Sequence, residues 1–96
     1  MNYAEYSPKA LDDLRSIFDF IAAGNPEAAE RAVERLMVAC DNLARHPDLG
    51  SRRDELVRGL RAFVVGNYVV YDRPTPRAIR AERILHPARD TEAFHE

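Results

Sequence analysis

One stretch, Leu60 to Asp90, constrains the fold of this 96-residue chain most strongly, because it predicts three consecutive β-strands. Its first two runs are rich in β-branched and aromatic side chains, which fit a pleated sheet better than a helix. Gly66-Asn67 lies between them, and both residues tolerate the positive φ that tight hairpin turns require. A Pro-rich turn from Arg73 to Pro76 precedes the third run. The stretch therefore predicts a three-stranded meander.

The second and third strands differ in pattern. The run from Tyr68 to Tyr71 is apolar without alternation, which predicts a central strand covered on both faces. The third strand alternates, with Ile79, Ala81, Arg83 and Leu85 on one side and Arg80, Glu82, Ile84 and His86 on the other. This pattern predicts that Arg83 is an arginine in an otherwise apolar row.

Two amphipathic helices are predicted before the meander. Ser7-Pro8 is typical of a helix start, and Gly24 is expected to end that helix. Asp12 and Asp13 are expected to complement the positive end of its dipole. The apolar positions at helical spacing are Leu11, Leu14, Ile17, Phe18 and Ile21.

The second helix begins at Asn25-Pro26 and is expected to stop by His46, because Pro47 disfavours helical geometry in the residue before it. Its apolar stripe consists of Ala29, Val33, Leu36, Cys40 and Leu43. So short a link between the helices predicts an antiparallel hairpin.

The order of elements is completed by a short strand at Tyr3–Tyr6 and a polar loop over residues 47–55. The chain thus reads β-α-α-β-β-β. An amphipathic helix pair can bury its stripe against one face of a sheet, which predicts a two-layer α+β fold with a mainly antiparallel C-terminal sheet. Residues 1–96 are expected to form a single domain.

Composition narrows the function classes. No secretory leader and no apolar run of about 20 residues is apparent, so we expect a cytoplasmic protein without a membrane anchor. Cys40 is the one cysteine and is expected to be a buried helix residue. The histidines at 46, 86 and 95 lack metal-ligand spacing, so no metal or other cofactor is expected.

The net charge of −2 conceals an asymmetry. Residues 1–48 carry 5 basic and 9 acidic side chains, whereas residues 49–96 carry 9 and 7. Of the 14 basic residues 13 are arginine, whose planar fork suits bidentate pairing with carboxylate or phosphate, although a GC-rich genome would produce the same bias. The low overall charge argues against nonspecific nucleic-acid binding by the whole surface.

Several short motifs in order resemble the ParE branch of the ParE/RelE superfamily, the small toxins of bacterial type II toxin–antitoxin pairs. In the meander they are Leu60-Arg61-Ala62-Phe63, Gly66-Asn67-Tyr68, Tyr71, Arg83-Ile84-Leu85-His86 and Arg89-Asp90. In the helices they are Ser7-Pro8-x-Ala10-x-x-Asp13-Leu14 and Asn25-Pro26-x-Ala28-Ala29. The resemblance covers nearly the whole chain and implies the same element order.

The resemblance implies a toxin that binds DNA gyrase, traps its cleaved-DNA state and performs no catalysis itself. It also implies a ParD-like antitoxin partner, whose C-terminal segment folds onto a groove of the helix hairpin and meander, and contact with operator DNA only through that complex. Candidate residues for binding the target or the antitoxin are Arg58, Arg61, Tyr68, Arg80, Arg83, His86 and Arg89.

The alternative is a RelE-like endoribonuclease that cleaves messenger RNA on the ribosome. Basic side chains would stabilise the phosphate transition state and another group would move the 2′-hydroxyl proton. Its candidates are Arg58, Arg61, Arg83, His86 and Arg89, with Tyr68 or Tyr71 as weaker ones. Three features argue against it. Val69 stands where such nucleases typically carry an arginine, and the stretch before the hairpin, where they are rich in lysine, has no lysine here. The C-terminal tyrosine that they often use is absent, and Phe94 is the only aromatic residue nearby.

A degenerate member that only binds its antitoxin is a third possibility. The candidate residues also have structural interpretations. Arg83 could pair with Glu82 or Glu55, His86 could be a hydrogen-bonding strand end, and Arg89-Asp90 could be a local ion pair.

Overall fold

The computed structural model describes residues 3–90 and shows an α+β fold in the predicted order. The C-terminal residues Phe94 and His95, which the sequence analysis considered, therefore lie outside the described residues. The elements are β1 (Ala4–Tyr6), α1 (Pro8–Ala22), α2 (Pro26–Arg45), a 3₁₀ turn (Pro47–Leu49), β2 (Ser51–Arg52), β3 (Arg61–Val65), β4 (Tyr68–Pro74) and β5 (Ile79–Leu85). Strand β2 lies inside the segment predicted as loop, because two residues are too few to show a strand pattern.

Both helices begin as the sequence predicts. The Ser7 hydroxyl accepts a hydrogen bond from the Ala10 N–H at 2.9 Å, and the Asn25 side chain accepts one from Ala28 at 3.1 Å. Helix α1 ends at Ala22 with Ala23 as its C-cap, so the prediction that Gly24 ends this helix is confirmed. Gly24 does so without a positive φ, which among residues 3–90 occurs only at Gly59 and Gly66. The N–H groups of Gly24 and Asn25 both donate to the Ile21 carbonyl.

Ser7 also joins α1 to the sheet. It is 5% exposed, and its hydroxyl donates to the Glu82 carbonyl at 2.7 Å while its N–H donates to the Ala81 carbonyl.

We expect Ser7→Ala to lower the free energy of unfolding by about 2 kcal/mol, because a cap and a second hydrogen bond are both lost. Urea unfolding measures this. Asn25→Ala, which loses only an exposed cap, is the matched control, and an equal loss in both variants would contradict the anchoring role.

The five strands form one sheet in the order β1-β5-β4-β3-β2. Strand β1 pairs with β5 in parallel, and all other neighbours are antiparallel. The β3–β4 turn is the predicted Gly66-Asn67, with Gly66 at a φ of 59°. The mainly antiparallel sheet is thus confirmed, and the chain's first strand lies beside its last.

The helices pack on one side of this sheet. The core joins the buried stripe of α2, which includes Leu36, Cys40 and Leu43, to Val70 of β4. The central position of β4 is confirmed, but its burial alternates: Val70 and Asp72 are buried, whereas Val69 and Tyr71 are only partly so. The predicted cover on both faces is therefore incomplete.

A β-bulge breaks the alternation predicted for β5. Tyr71 pairs with Arg83, but the next residue, Asp72, pairs with Ala81, so Glu82 is an extra residue. Ile84 consequently lies in the helix-side core together with Ile79 and Ala81. The prediction that placed Ile84 opposite them, and Arg83 in their row, is wrong because it assumed an unbroken period of two.

Candidate functional site

The structure separates six of the seven candidate residues into two groups at opposite ends of the sheet, and Arg83 lies between them on β5. Tyr68 opens β4 and His86 follows β5, so they meet at one end, together with Arg89. Arg61 opens β3 and Arg80 lies near the start of β5, at the other end. We call these the His86 end and the Arg61 end. The sequence motifs do not reveal this division, because antiparallel pairing sets it.

At the His86 end an aromatic pair lies on the helix side of the sheet. The rings of Tyr68 and His86 contact edge to face, with centroids 5.5 Å apart and planes at 82°. The His86 N–H donates to Asp90 Oδ2 at 2.8 Å, and the His86 carbonyl accepts from the N–H groups of Arg89 and Asp90. The His86 backbone thus holds the turn that follows β5, whereas its buried ring Nδ1 has no hydrogen-bond partner among residues 3–90.

Asp90 is held as a carboxylate in this turn. Partial burial acts in the opposite direction, but the hydrogen bond from His86 and the charge of Arg89 lower the pKa of Asp90 below its ordinary value. Arg89 Nε lies 3.4 Å from Asp90 Oδ1, so the local ion pair is confirmed. The arrangement orients Arg89 toward α1.

Two further residues belong to this end that the sequence motifs did not indicate. The Arg89 guanidinium lies 5.3 Å from the ring centroid of Phe20, a residue of α1 that is 69% exposed. Arg35 of α2 lines a small cleft of about 130 Å³ with Tyr68 and the Gly66-Asn67 turn. Phe20 lies three positions after Ile17, but on the exposed side, and only the fold shows that Arg89 reaches it.

Arg83 is engaged by α1. Its Nε donates to Asp13 Oδ2 at 2.9 Å and its Nη2 donates to Asp13 Oδ1 at 3.0 Å. Asp13 Oδ2 also accepts the Ile84 N–H at 2.9 Å, beyond the point where β1 stops covering the edge of β5. The hydrogen bond that Arg83 donates to Asp13 raises the pKa of Arg83 above its ordinary value.

Two predictions about these residues are therefore wrong. The partner of Arg83 is Asp13, rather than Glu82 or Glu55, and Glu82 pairs instead with Arg73 and Arg80. Neither Asp12 nor Asp13 lies in the first turn of α1, and Asp13 binds the edge of β5 instead of complementing the helix dipole.

The Arg61 end is a more open and charged surface. Arg61 Nη1 donates to the Gly50 carbonyl at 3.0 Å, while Arg73 and Arg80 share Glu82 Oε2 at 3.3 and 3.5 Å. Arg58 is exposed in the loop before β3. A cleft of about 120 Å³ next to Arg61 is lined by Arg52, Asp54, Gly59, Leu60, Arg61 and Pro74.

A further concave surface lies on the helices, and no candidate residue lines it. This hairpin cleft has a volume of about 450 Å³. Its lining residues are Phe18, Val33, Met37 and Val38, which are apolar, and Glu30, Glu34 and Asp41, which are acidic. Met37 and Val38 lie beside the predicted stripe of α2, so a second apolar stripe was the signal available in the sequence. The cleft suits apolar side chains flanked by basic ones.

Within residues 3–90, no group of three or more His, Cys, Asp or Glu is placed to hold a metal ion. No helix in the same range has the length and apolar character needed to cross a membrane.

Comparisons with known proteins agree with the fold. Residues 4–91 match the family described as the ParE toxin of type II toxin–antitoxin system, parDE. A solved structure titled as a chromosomal ParDE TA system from P. aeruginosa is similar, with a TM-score of 0.74 and 25% sequence identity. The similarity covers 90% of this chain and 96% of that one.

Two similar proteins of Caulobacter vibrioides carry a different name. Toxin RelE3 is 33% identical over 87 residues, which are 90% of this chain and 95% of that toxin. Toxin RelE2 is 37% identical over 81 residues, which are 84% of this chain and 90% of the toxin. The predicted resemblance to ParE/RelE toxins is thus confirmed.

Proposed function

Because this chain belongs to the ParE toxin family of type II toxin–antitoxin systems, we propose that it acts in the cytoplasm by binding DNA gyrase and blocking replication. A cognate ParD-like antitoxin would hold it inactive, and operator DNA would be reached only through that complex. The name of the structural relative, a ParDE system, supports the antitoxin partner.

The hydrogen bonds of Arg83 favour a binding toxin over a nuclease. A nuclease needs cationic groups free to face the scissile phosphate as its charge develops. Arg83 instead gives two hydrogen bonds to Asp13, with its side chain only 22% exposed. Arg61 likewise donates a hydrogen bond to the Gly50 carbonyl. These hydrogen bonds keep both guanidinium groups from facing a phosphate, which favours a toxin that binds its target over one that cleaves RNA.

One observation favours the ribonuclease alternative. The two Caulobacter relatives are named RelE toxins, and the His86 end places a histidine, a tyrosine and Arg89 close together. Histidine and tyrosine can move protons, and arginine can bind phosphate. Val69, which stands where such nucleases typically carry an arginine, favours the gyrase hypothesis.

The two hypotheses are separated by paired assays with the purified toxin. One contains gyrase, ATP and relaxed plasmid, and the other contains ribosomes with a defined messenger RNA. We expect loss of supercoiling with accumulation of cleaved DNA, and intact RNA. Codon-positioned RNA cuts with normal supercoiling would replace the proposal with the ribonuclease.

We propose the hairpin cleft as a contact surface for the antitoxin, since its acidic rim and apolar floor suit a basic amphipathic helix. Val38→Glu, at a residue 52% exposed, is expected to weaken antitoxin binding at least about tenfold, because the cleft then presents a charge to an apolar side chain. Titration calorimetry with the antitoxin encoded beside this gene measures the change.

Val64→Glu is the matched control for that experiment. Val64 is another exposed valine, on β3, and it does not line the cleft. Unchanged affinity in Val38→Glu, or an equal loss in both variants, would place the antitoxin elsewhere on the toxin.

A further inference from the structure

Asp72 of β4 is an acid buried in the core. The residue is 0% exposed, and neither carboxylate oxygen accepts a hydrogen bond from another residue. It lies on the helix side of the sheet, next to the bulge. An ionised carboxylate in such a place lacks both water and a hydrogen-bond donor, so the neutral form is favoured.

Arg61 lies directly opposite Asp72 in the β3–β4 register. Opposite side chains in an antiparallel pair have Cβ atoms about 5 Å apart, so the guanidinium can reach the carboxylate. It points instead to the neighbouring segment, donating to the Gly50 carbonyl at 3.0 Å and lying 3.7 Å from the exposed Asp48. These contacts anchor residues 47–52, which comprise the 3₁₀ turn and β2, against β3.

The other titratable groups around Asp72 do not supply a positive charge. From β1, Tyr6 hydrogen bonds to Cys40 of α2, and burial raises the pKa of both groups, that of Cys40 to about 11. Asp41 of α2 is a further acid that acts on the same pair. On β5, the opposite residue is the apolar Ala81. Arg61 is therefore the cation that faces Asp72 across the strands.

The direction of the titration follows from this environment. Burial raises the pKa of Asp72 to about 6, although the charge of Arg61 and the Asp72 N–H partly counteract it. The carboxyl therefore changes its charge near neutral pH rather than near its ordinary value.

We propose that Arg61 has two mutually exclusive partners, and that the proton on Asp72 selects between them. While Asp72 is protonated, Arg61 holds the Gly50 carbonyl and anchors residues 47–52. When Asp72 is ionised, the guanidinium turns to the carboxylate, and the Gly50 carbonyl loses its donor. The edge of the sheet at β2 is thereby coupled to a proton in the core, and this coupling is independent of the toxin's target.

NMR titration of the isotope-labelled chain tests the proposal. The Asp72 carboxyl carbon, the Arg61 Nε–H and the Ser51 amide are expected to titrate with one shared midpoint. Amide exchange at Ser51, corrected for its intrinsic pH dependence, is expected to lose about tenfold protection between about pH 5 and pH 8. Asp72→Asn should abolish the Arg61 and Ser51 transitions. Asp48→Asn, which alters only the exposed partner of Arg61, should retain them.

A second variant keeps the test decisive if Asp72→Asn fails to fold. Arg61→Gln removes the cation, so the Asp72 midpoint should rise and the Ser51 amide should be poorly protected at every pH. The proposal is overturned if Arg61 and Ser51 do not follow Asp72. It is equally overturned if their transitions persist in Asp72→Asn, or if Ser51 protection in Arg61→Gln equals that of the parent chain.

Discussion

Asp13→Ala is expected to lower the free energy of unfolding by about 3 kcal/mol, because this carboxylate accepts three hydrogen bonds that link α1 to β5. Its removal leaves the Arg83 guanidinium partly buried without its acceptor and the Ile84 N–H unpaired. The side chains of Asp13 and Arg83 are only 14% and 22% exposed, so water replaces these bonds poorly. Chemical denaturation followed by circular dichroism measures the loss.

The neighbouring carboxylate provides the control for this variant. Asp12 pairs with Arg15 on the surface of the same helix, with both side chains more than 70% exposed, so Asp12→Ala is expected to cost less than about 0.5 kcal/mol. Arg83→Met should cost less than Asp13→Ala, since the Ile84 N–H keeps its acceptor. Similar stability of the Asp12 and Asp13 variants would show that the Arg83 pair contributes little.

This dependence affects how toxicity assays are interpreted. Truncation of Arg83 is expected to weaken the fold, so loss of toxicity in that variant would not identify a contact with the target. Arg89 has a more exposed side chain, 39%, and its partners Phe20 and Asp90 lie at the surface or in the adjoining turn. Arg89→Ala is therefore the cleaner probe of target binding.

Asp72 is expected to make the toxin less stable as pH rises from about 4 to about 6. The folded-state pKa is about 6, above the ordinary value of 3.8, so the unfolded chain releases this proton first. Over that interval the unfolded state binds fewer protons than the folded state, and stability falls with pH. The free energy of unfolding that is lost through Asp72 is about 3 kcal/mol. None of it is lost below the pKa of the unfolded chain, and all of it is lost above the pKa of the folded one.

The corresponding measurement compares the parent chain with Asp72→Asn across this range. Other groups contribute to both curves, so the difference between them isolates Asp72. We expect the difference to change by up to about 3 kcal/mol in favour of the variant between pH 4 and pH 7, less any compensation from Arg61. Parallel curves would mean that the carboxylate is accommodated in its ionised form.

Local signals in the sequence were sufficient for most of the fold. Ser7 and Asn25 cap their helices because a cap requires only residues three positions apart, and the Gly66-Asn67 turn is equally local. The parallel pairing of β1 with β5 was not predicted, since nothing in a three-residue strand identifies a distant partner. Glu82 was also missed as a bulge residue, because its polar character fits a regular alternating strand.

The candidate site was less predictable for the same reason. The pairing of Arg83 with Asp13 joins residues 70 positions apart, and the meeting of Tyr68 with His86 depends on the register of two strands. The hairpin cleft needs two helices to be packed before its floor exists. The roles of Arg58, Arg61, Tyr68, Arg80, Arg83, His86 and Arg89 in binding a target or antitoxin remain predictions.

The pairing of the first strand with the last also determines when the sheet can be completed during synthesis. Ala4 and Ile79 are partners although 75 positions separate them, and β5 provides Ile79, Ala81 and Ile84 to the core. At a synthesis rate of about 5–20 residues per second, β1 waits about 4–15 s for that strand and the completed helix hairpin waits about 2–7 s. Until then the nascent chain displays its unburied helix faces. An antitoxin already present in the cell would have those seconds to meet a toxin that has not yet acquired its final form.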